Sequence, residues 1–447
     1  MNDETRPTID MRAPHRDAAI QLSLLDPDSE AVVAPCPKKS ARAGAFTDNM
    51  KLPVHRWFRY SAGFSAEWAA NEIRASGAQR VLDPFAGSGT ALLAASECGV
   101  CSVGYEAHPF IARVAAAKAN VTVRLSAFEQ DLSDLLSIAK EVHAAAAYQP
   151  EGILAKCYDE ATFRKLMSLR TAWETGGFRE RDAGELLWLL ITSILRECSG
   201  VGTAQWQYVL PNKRKARVKE PFVALRDKAN LFAHDLQYAQ NAYRGVVDIR
   251  AHDVRRGIDA EGFDLVITSP PYPNNYDYAD ATRLEMTFWG ELRGWGDLQR
   301  AVRKNLIRAC SQHSAAERLE LQALLSERAL KPIIGPLREA CETLDAVRLT
   351  KGGKKTYHTM VAAYFLDLAH IWAHLRRSIA PGGVVKFVIG DSAPYGIYIP
   401  CEKWLGQLAL AAGFESFDFK KIRDRNVKWK NRKHRVPLKE GVLEVRA

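Results

Sequence analysis

The chain has 447 residues, enough for one large α/β domain with insertions or for two or three average domains, and its 47% hydrophobic and 9% aromatic content excludes wholesale disorder. Lysine and arginine outnumber aspartate and glutamate by 62 to 52, a net charge of +10 that points to an anionic partner such as nucleic acid or a membrane surface. No uninterrupted apolar run of about 18 residues is present, and the opening MNDETRPTIDMRAPHRD lacks the apolar core of a secretory signal, so an intracellular, nucleic-acid-facing protein is expected.

The eight cysteines are scattered without a framework spacing, which suits a reducing compartment. The one C-x-x-C, Cys98 to Cys101, has no second pair or nearby histidines to complete a tetrahedral site, so no metal is expected.

In chain order, residues 1–48 mix Pro, Asp, Arg, Ala and Ser with little periodicity and read as a flexible leader. SAEWAANEIRASG (65–77) has helical spacing, and QRVLDPFAGSGT (79–90) is a short apolar strand running into a glycine-rich turn. ALLAASECG (91–99) reads as a helix with a glycine stop, VCSVGYEAH (100–108) as the next strand, and 109–119 as a further helix. Residues 49–119 thus form one half of a sheet domain, and 120–244 form a mainly helical insertion. Strand character returns at GVVDIRAHDV (245–254) and DLVITSPPY (264–272), within a second half spanning 245–282. A second helical insertion covers 283–350. In the remainder, 351–447, a helix over 361–383 is expected to end in a Pro-Gly-Gly turn that feeds VVKFVIGDS (384–392), followed by a helix at 401–414 and a terminal strand pair. This alternation predicts a mostly parallel, Rossmann-like sheet with helices on both faces, whose ligands bind beyond the carboxyl ends of the strands.

Two loops carry the chemistry. In DPFAGSGT, from Asp83 to Thr90, Gly87 and Gly89 permit a tight turn and close backbone approach to a ligand at a helix N-terminus. The loop lacks the lysine of a Walker loop and the spacing of dinucleotide folds, which points to an adenosine-bearing ligand without a pyrophosphate. Glu106, ending the second strand, is placed to accept from two ribose hydroxyls, and Asp253 from the adenine amino group. Phe64 and Ser65, just upstream, are candidates for the ligand's amino-acid end, the alternative being a core aromatic cluster.

The second loop is TSPPY (268–272). Pro270 and Pro271 cannot continue a sheet and must form a rigid turn. An amino group on an aromatic base is a poor nucleophile because its lone pair is delocalised into the ring. Hydrogen bonds from that amine to the Ser269 hydroxyl and the Pro270 carbonyl draw the nitrogen towards tetrahedral geometry, and Tyr272 can stack on a base that has left the duplex. No cysteine nucleophile lies in this loop, which argues against cytosine C5 chemistry.

With both loops in view, the chain resembles the amino-methyltransferases of DNA, and most of all the cytosine-N4-specific bacterial modification enzymes. The resemblance covers roughly 50–120, 245–280 and 360–446. It implies that Phe85, Gly87 and Gly89, flanked by Asp83 and Thr90, bind S-adenosylmethionine, and that Ser269, Pro270, Pro271 and Tyr272 are catalytic. A serine in first position is commoner in the N4-cytosine type, aspartate in the N6-adenine type. The resemblance further implies double-stranded DNA as substrate, a cognate restriction endonuclease as partner and a bacterial cytoplasmic location close to the nucleoid. The rival readings are an adenine-N6 enzyme, an RNA base methyltransferase, a protein glutamine methyltransferase, or a non-catalytic nucleic-acid-binding protein.

Three basic stretches are candidate DNA contacts. KKIRDRNVKWKNRKHR (420–435) has nine lysines or arginines and one acid, including Arg425, Lys428, Trp429, Lys430, Arg432 and Lys433. PNKRKARVK (211–219), with Lys213, Arg214 and Lys215, and KGGKKTYH (351–358), with Lys354 and Lys355, read as basic loops. Beside the former, AQWQY (204–208) offers amides for base edges and aromatics for stacking, or equally for helix packing. Target reading falls to the insertion at 120–244, to that at 283–350, or to both.

Overall fold

The computed structural model describes residues 46–60, 63–145, 148–203, 208–313, 319–351, 355–425 and 436–447. Among these residues nine strands run in chain order: β1 (Arg80–Asp83), β2 (Cys101–Tyr105), β3 (Val201–Thr203), β4 (Val209–Arg214), β5 (Val247–Arg250), β6 (Phe263–Thr268), β7 (Ile379–Gly390), β8 (Ser416–Arg425) and β9 (Leu438–Arg446). Seven of them form one sheet in the order β5-β2-β1-β6-β7-β9-β8, and β3 and β4 form a separate antiparallel hairpin. The first five strands of the sheet are parallel, and β9 runs antiparallel to both β7 and β8. This is the expected mostly parallel, Rossmann-like sheet.

Side chains alternate between two apolar layers, as the period of a strand requires. Val81, Leu265, Ile267, Val388 and Val442 face one layer, which includes Trp68 and Ala91 from the helices Ala66–Ser76 and Thr90–Glu97. Leu82, Val266, Phe387 and Leu443 face the other, with Tyr364 and Trp372 of the Tyr357–Ser378 helix. Both faces being covered, the central strands read as nearly continuous apolar runs.

Local signals set the helix ends. Ser65 Oγ accepts from the Trp68 amide at 3.2 Å, and Gly77 ends that helix with φ 65°. The Pro-Gly-Gly turn differs from expectation. The helix ends at Ser378 and β7 begins at once, so Pro381, Gly382 and Gly383 form an irregularity within the strand, where Phe263 pairs with Ile379 but Leu265 with Val384. The Ala447 amide bonds to the Gly383 carbonyl at 3.0 Å, which ties the chain's end to this bulge.

The 120–244 region is helical except for the β3–β4 hairpin, and it docks on the sheet through the Pro109–Ala119 helix. There Phe110 packs edge-on against Trp188, and Arg113 lies 4.0 Å over the same indole while pairing with Glu185 at 2.8 Å. A buried carboxylate, Asp235, holds the segment before the first helix. It accepts from the Val54 amide at 3.0 Å, from Arg56 at 2.5 and 3.1 Å, and from the Trp57 indole at 2.9 Å. The region 283–350 is made of short helices and the Ile334–Thr350 helix, which packs on Tyr357–Ser378.

Candidate active site

β1 and β6 are neighbours, and from this pair the chain builds outwards in opposite directions. Such a reversal opens a crevice at the carboxyl ends of the strands, and the two motif loops leave from these two ends. Directly beneath them, Thr268 Oγ1 donates to Asp83 Oδ1 at 2.5 Å, and the Phe85 amide donates to the same oxygen at 3.0 Å. Asp83 is fully buried and its Oδ2 has no partner among the described residues, and burial raises its carboxyl to about 7. The expectation that Asp83 contacts a ligand is corrected: it does not line the cavity, and it staples the two strand ends.

Above the staple lies a cavity of about 320 Å3. Phe85, Gly87, Glu106 and Asp253 line one end of it. Gly87, at φ 52°, donates its amide to Glu106 Oε2 at 2.8 Å, and the His108 amide donates to Oε1 at 2.8 Å. Burial nevertheless raises Glu106 to about 7, against the pull of these amides. Each carboxylate oxygen keeps a lone pair beyond these bonds. Asp253 is more heavily engaged: it accepts from the Arg255 amide at 3.0 Å, and Arg255 clamps both of its oxygens at 2.8 to 3.1 Å.

Four further candidates stand apart from this cavity. Gly89, at φ 87°, caps the Thr90–Glu97 helix, and a Cβ there would touch Ala115 Cβ at 3.5 Å. Thr90 borders a smaller hollow beside the buried Lys118, whose Nζ donates to the Ser88 carbonyl at 2.9 Å. Phe64 is a core residue packed edge-on against Trp68, and Ser65 is the helix cap. The core alternative therefore holds for Phe64, and from the same segment Tyr60 and Gly63 line the cavity instead. Asn49 sets that segment's path: it donates to the Phe64 carbonyl at 2.8 Å and accepts from the Ala66 amide at 2.9 Å.

Ser269, Pro270, Pro271 and Tyr272 line the other end. The Ser269 hydroxyl donates to the Val388 carbonyl at 3.0 Å, and the Tyr272 hydroxyl donates to the same carbonyl at 3.3 Å. Burial pushes the Tyr272 phenol well above its ordinary range, so it stays a neutral donor. The cavity wall also includes Tyr278 and His313, which were not among the expected site residues. Tyr278 packs on Tyr276 at 4.5 Å, and the Tyr276 ring lies 5.5 Å from that of Tyr208. His313 faces Asp277 at 3.4 Å, and Arg303 pairs with the same carboxylate at 2.6 Å. Burial alone would raise Asp277, but these two partners hold it down to about 2. The aromatic run YPNNYDY directly after the second loop was the available signal.

The candidate DNA contacts divide. Lys213 and Arg214 are exposed, but on β4 of the hairpin, not on a loop. Lys215 is half-buried and bonds to the Arg196 carbonyl, so it is not a free cation. Lys355 is half-buried just before the Tyr357–Ser378 helix. Arg425 lines the cavity, lying 5.2 Å over the Tyr272 ring. Lys354, Lys428, Trp429, Lys430, Arg432 and Lys433 lie outside the described residues, as do positions 204–207. Tyr208 accepts from the Asp277 amide at 2.8 Å, which is a packing role. Among the described residues no group of side chains could hold a metal ion, and no helix is long and apolar enough to cross a membrane.

No family model matches the chain, and no solved structure is significantly similar. Curated relatives do match over nearly its full length. The type II methyltransferase M.BsoBI of Geobacillus stearothermophilus is 26% identical over 432 residues, covering 85% of this chain and 82% of that protein. The type II methyltransferase M.AvaI of a Nostoc species is 23% identical over 420 residues, covering 84% and 82%. Both motif loops leave adjacent strands of a Rossmann-like sheet, and the chain is a homologue of these type II DNA methyltransferases.

Proposed function

We propose that the protein is a site-specific DNA methyltransferase that uses S-adenosylmethionine to modify the N4 amine of a cytosine flipped out of double-stranded DNA. The observation that carries this reading is the Ser269–Val388 hydrogen bond. With its proton committed to a backbone carbonyl, the Ser269 oxygen is left as an acceptor on the cavity wall. Together with the Pro270 carbonyl it accepts from the target amine, which localises the nitrogen lone pair. Tyr272 stacks on the extruded base, and Pro270 and Pro271 hold the loop rigid.

The donor set suits the cofactor: Glu106 for the ribose, and the Gly87 turn with Phe85 for close backbone and ring approach. Gly89 shapes the turn, Tyr60 and Gly63 replace Phe64 and Ser65 at the amino-acid end, and Asp253 contributes through the lone pairs that Arg255 leaves. When bound, S-adenosylmethionine supplies an electrophilic methyl group. The serine in first position supports cytosine over adenine, by resemblance to the N4 type.

Two insertions, 120–244 and 283–350, are available to read the target, and the exposed Lys213 and Arg214 on the hairpin favour the first. A cognate restriction endonuclease and a bacterial cytoplasmic setting complete the proposal. Incubating the full chain with S-adenosylmethionine and mixed-sequence DNA, then identifying nucleosides by mass spectrometry, tests it. N4-methylcytosine is expected. N6-methyladenine would overturn the choice of base, and the absence of any methylated base would overturn the whole reading.

A further inference from the structure

Two arginines, Arg423 and Arg425, line the cavity, and the neighbours of Arg425 fix its guanidinium without saturating it. Arg425, the last residue of β8, donates from Nη1 to the Asp391 carbonyl at 2.9 Å, and its Nε faces Glu440 at 3.6 Å. Glu440 is itself buried and accepts from Arg423 at 2.8 Å. The Arg425 guanidinium lies over the Tyr272 ring, and its side chain is only 19% exposed. Space for it comes from the end of β7. A Cβ on Gly390 would sit 2.6 Å from Arg425 Nη1 and 3.1 Å from both its Cδ and Tyr272 Cε2. The absence of a side chain at Gly390 therefore lets the arginine and the tyrosine share one position beside the second motif loop. Nη2, with two N–H groups, makes no hydrogen bond among the described residues. Nη2 keeps access to solvent in the cavity, and a ligand that accepts from it takes the place of water.

We propose that Arg425 selects the base, donating from Nη2 to the ring acceptors of the flipped cytosine while Ser269 and Pro270 accept from its amine. This rests on the cytosine-N4 reading above. The Watson–Crick edge of cytosine runs donor, acceptor, acceptor: the N4 amine, N3 and O2. That of adenine runs amine, N1 and a C–H. A wall with acceptors at one end and a forked donor at the other matches the first edge throughout, and faces the C–H of the second with an unsatisfied donor.

The test compares duplexes that carry cytosine or 3-deazacytosine at the methylated position, once that position has been mapped. The analogue keeps the amine and O2 but lacks the N3 acceptor. For the wild-type protein, kcat/KM is expected to fall by about 10- to 100-fold on the analogue. For Arg425→Ala, activity on cytosine is already low and the ratio of the two substrates collapses towards one. The variant's ratio carries any difference in intrinsic amine reactivity, so the comparison isolates the contact. Arg425→Gln, which keeps amide donors without the charge, gives an intermediate ratio and serves if the alanine variant fails to fold. S-adenosylmethionine affinity is expected to stay within about twofold in both. Full wild-type discrimination in the variants, with N4-methylcytosine still the product, overturns the role of Arg425 alone. N6-methyladenine from the wild-type protein overturns the cytosine reading, and the base-selecting role with it.

Discussion

The hydroxyl of Ser269 is bound to the carbonyl of Val388, 3.0 Å away on the neighbouring strand β7, and this bond decides which part of the serine remains for chemistry. Any new partner in the cavity meets lone pairs, not the proton. Ser269→Ala removes the acceptor and leaves the loop's prolines and the glycine turn in place. Turnover of methyl groups should fall by about 100-fold or more, the scale seen when one preorganised polar partner of a reacting group is lost. Calorimetry should show S-adenosylmethionine affinity within about twofold of wild type. Near-normal turnover in this variant removes the mechanism.

The proposed ribose contact of Glu106 makes cofactor binding depend on pH in a definite direction. Its carboxyl is raised by burial to about 7, so between its ordinary value of 4.5 and about 7 the folded protein holds a proton that the unfolded chain has lost. This contribution to stability is therefore greatest at low pH and disappears as pH rises through 7. Binding runs the other way, because the ionised carboxylate is the better acceptor for ribose hydroxyls. Affinity for S-adenosylmethionine should rise by up to about tenfold from pH 6 to pH 8, with proton release detectable in buffers of different ionisation enthalpy. Glu106→Gln should bind more weakly and lose the dependence; a slope preserved in that variant would assign it elsewhere.

The staple under the two loops is expected to matter to stability and to the site together. Thr268→Val leaves Asp83 with only the Phe85 amide, at a cost of about 1.5 to 3 kcal/mol for the lost hydrogen bond to a buried carboxylate. Urea unfolding at pH 8 measures it. Asp83→Asn removes the buried charge, so the same threonine change should cost less in that background. A double-mutant cycle with no coupling would show that the contact holds nothing.

What could be read from the residues alone follows from how local each signal is. The strands that end at Asp83 and Thr268, the Pro109–Ala119 helix and both motif loops were legible, because apolar runs, glycines and prolines act over a few neighbours. Asp83 shows the limit: it belongs to the motif, yet its side chain points beneath the loop, which only the pairing of β1 with β6 determines. Arg425 was hidden inside a charge run, and it reaches the cavity because β8 returns antiparallel to β9 and ends beside Gly390. The β3–β4 hairpin was masked by its own lysines and arginines, whose polarity reads as a loop. Tyr60 and Tyr278 come from segments far apart in the chain, and no spacing rule joins them.

That hairpin yields a last prediction, about DNA. Lys213 and Arg214 are both exposed, whereas Lys215 next to them is half-buried and bonded to the Arg196 carbonyl. Burial lowers the Lys215 ammonium below its ordinary range, as expected for a side chain drawn into the protein. If the hairpin follows the phosphate backbone, changing Lys213 or Arg214 to Gln should reduce the slope of log K against log salt by about 1 each, through lost counterion release. Lys215→Gln should leave the slope nearly unchanged and lower thermal stability instead, because its ammonium is held by the protein. Fluorescence anisotropy on one duplex over a range of salt concentrations gives all three slopes. Equal effects at 213, 214 and 215 would mean that the exposed and tethered cations are not distinguished by DNA, and no effect at 213 or 214 would exclude the hairpin from the track.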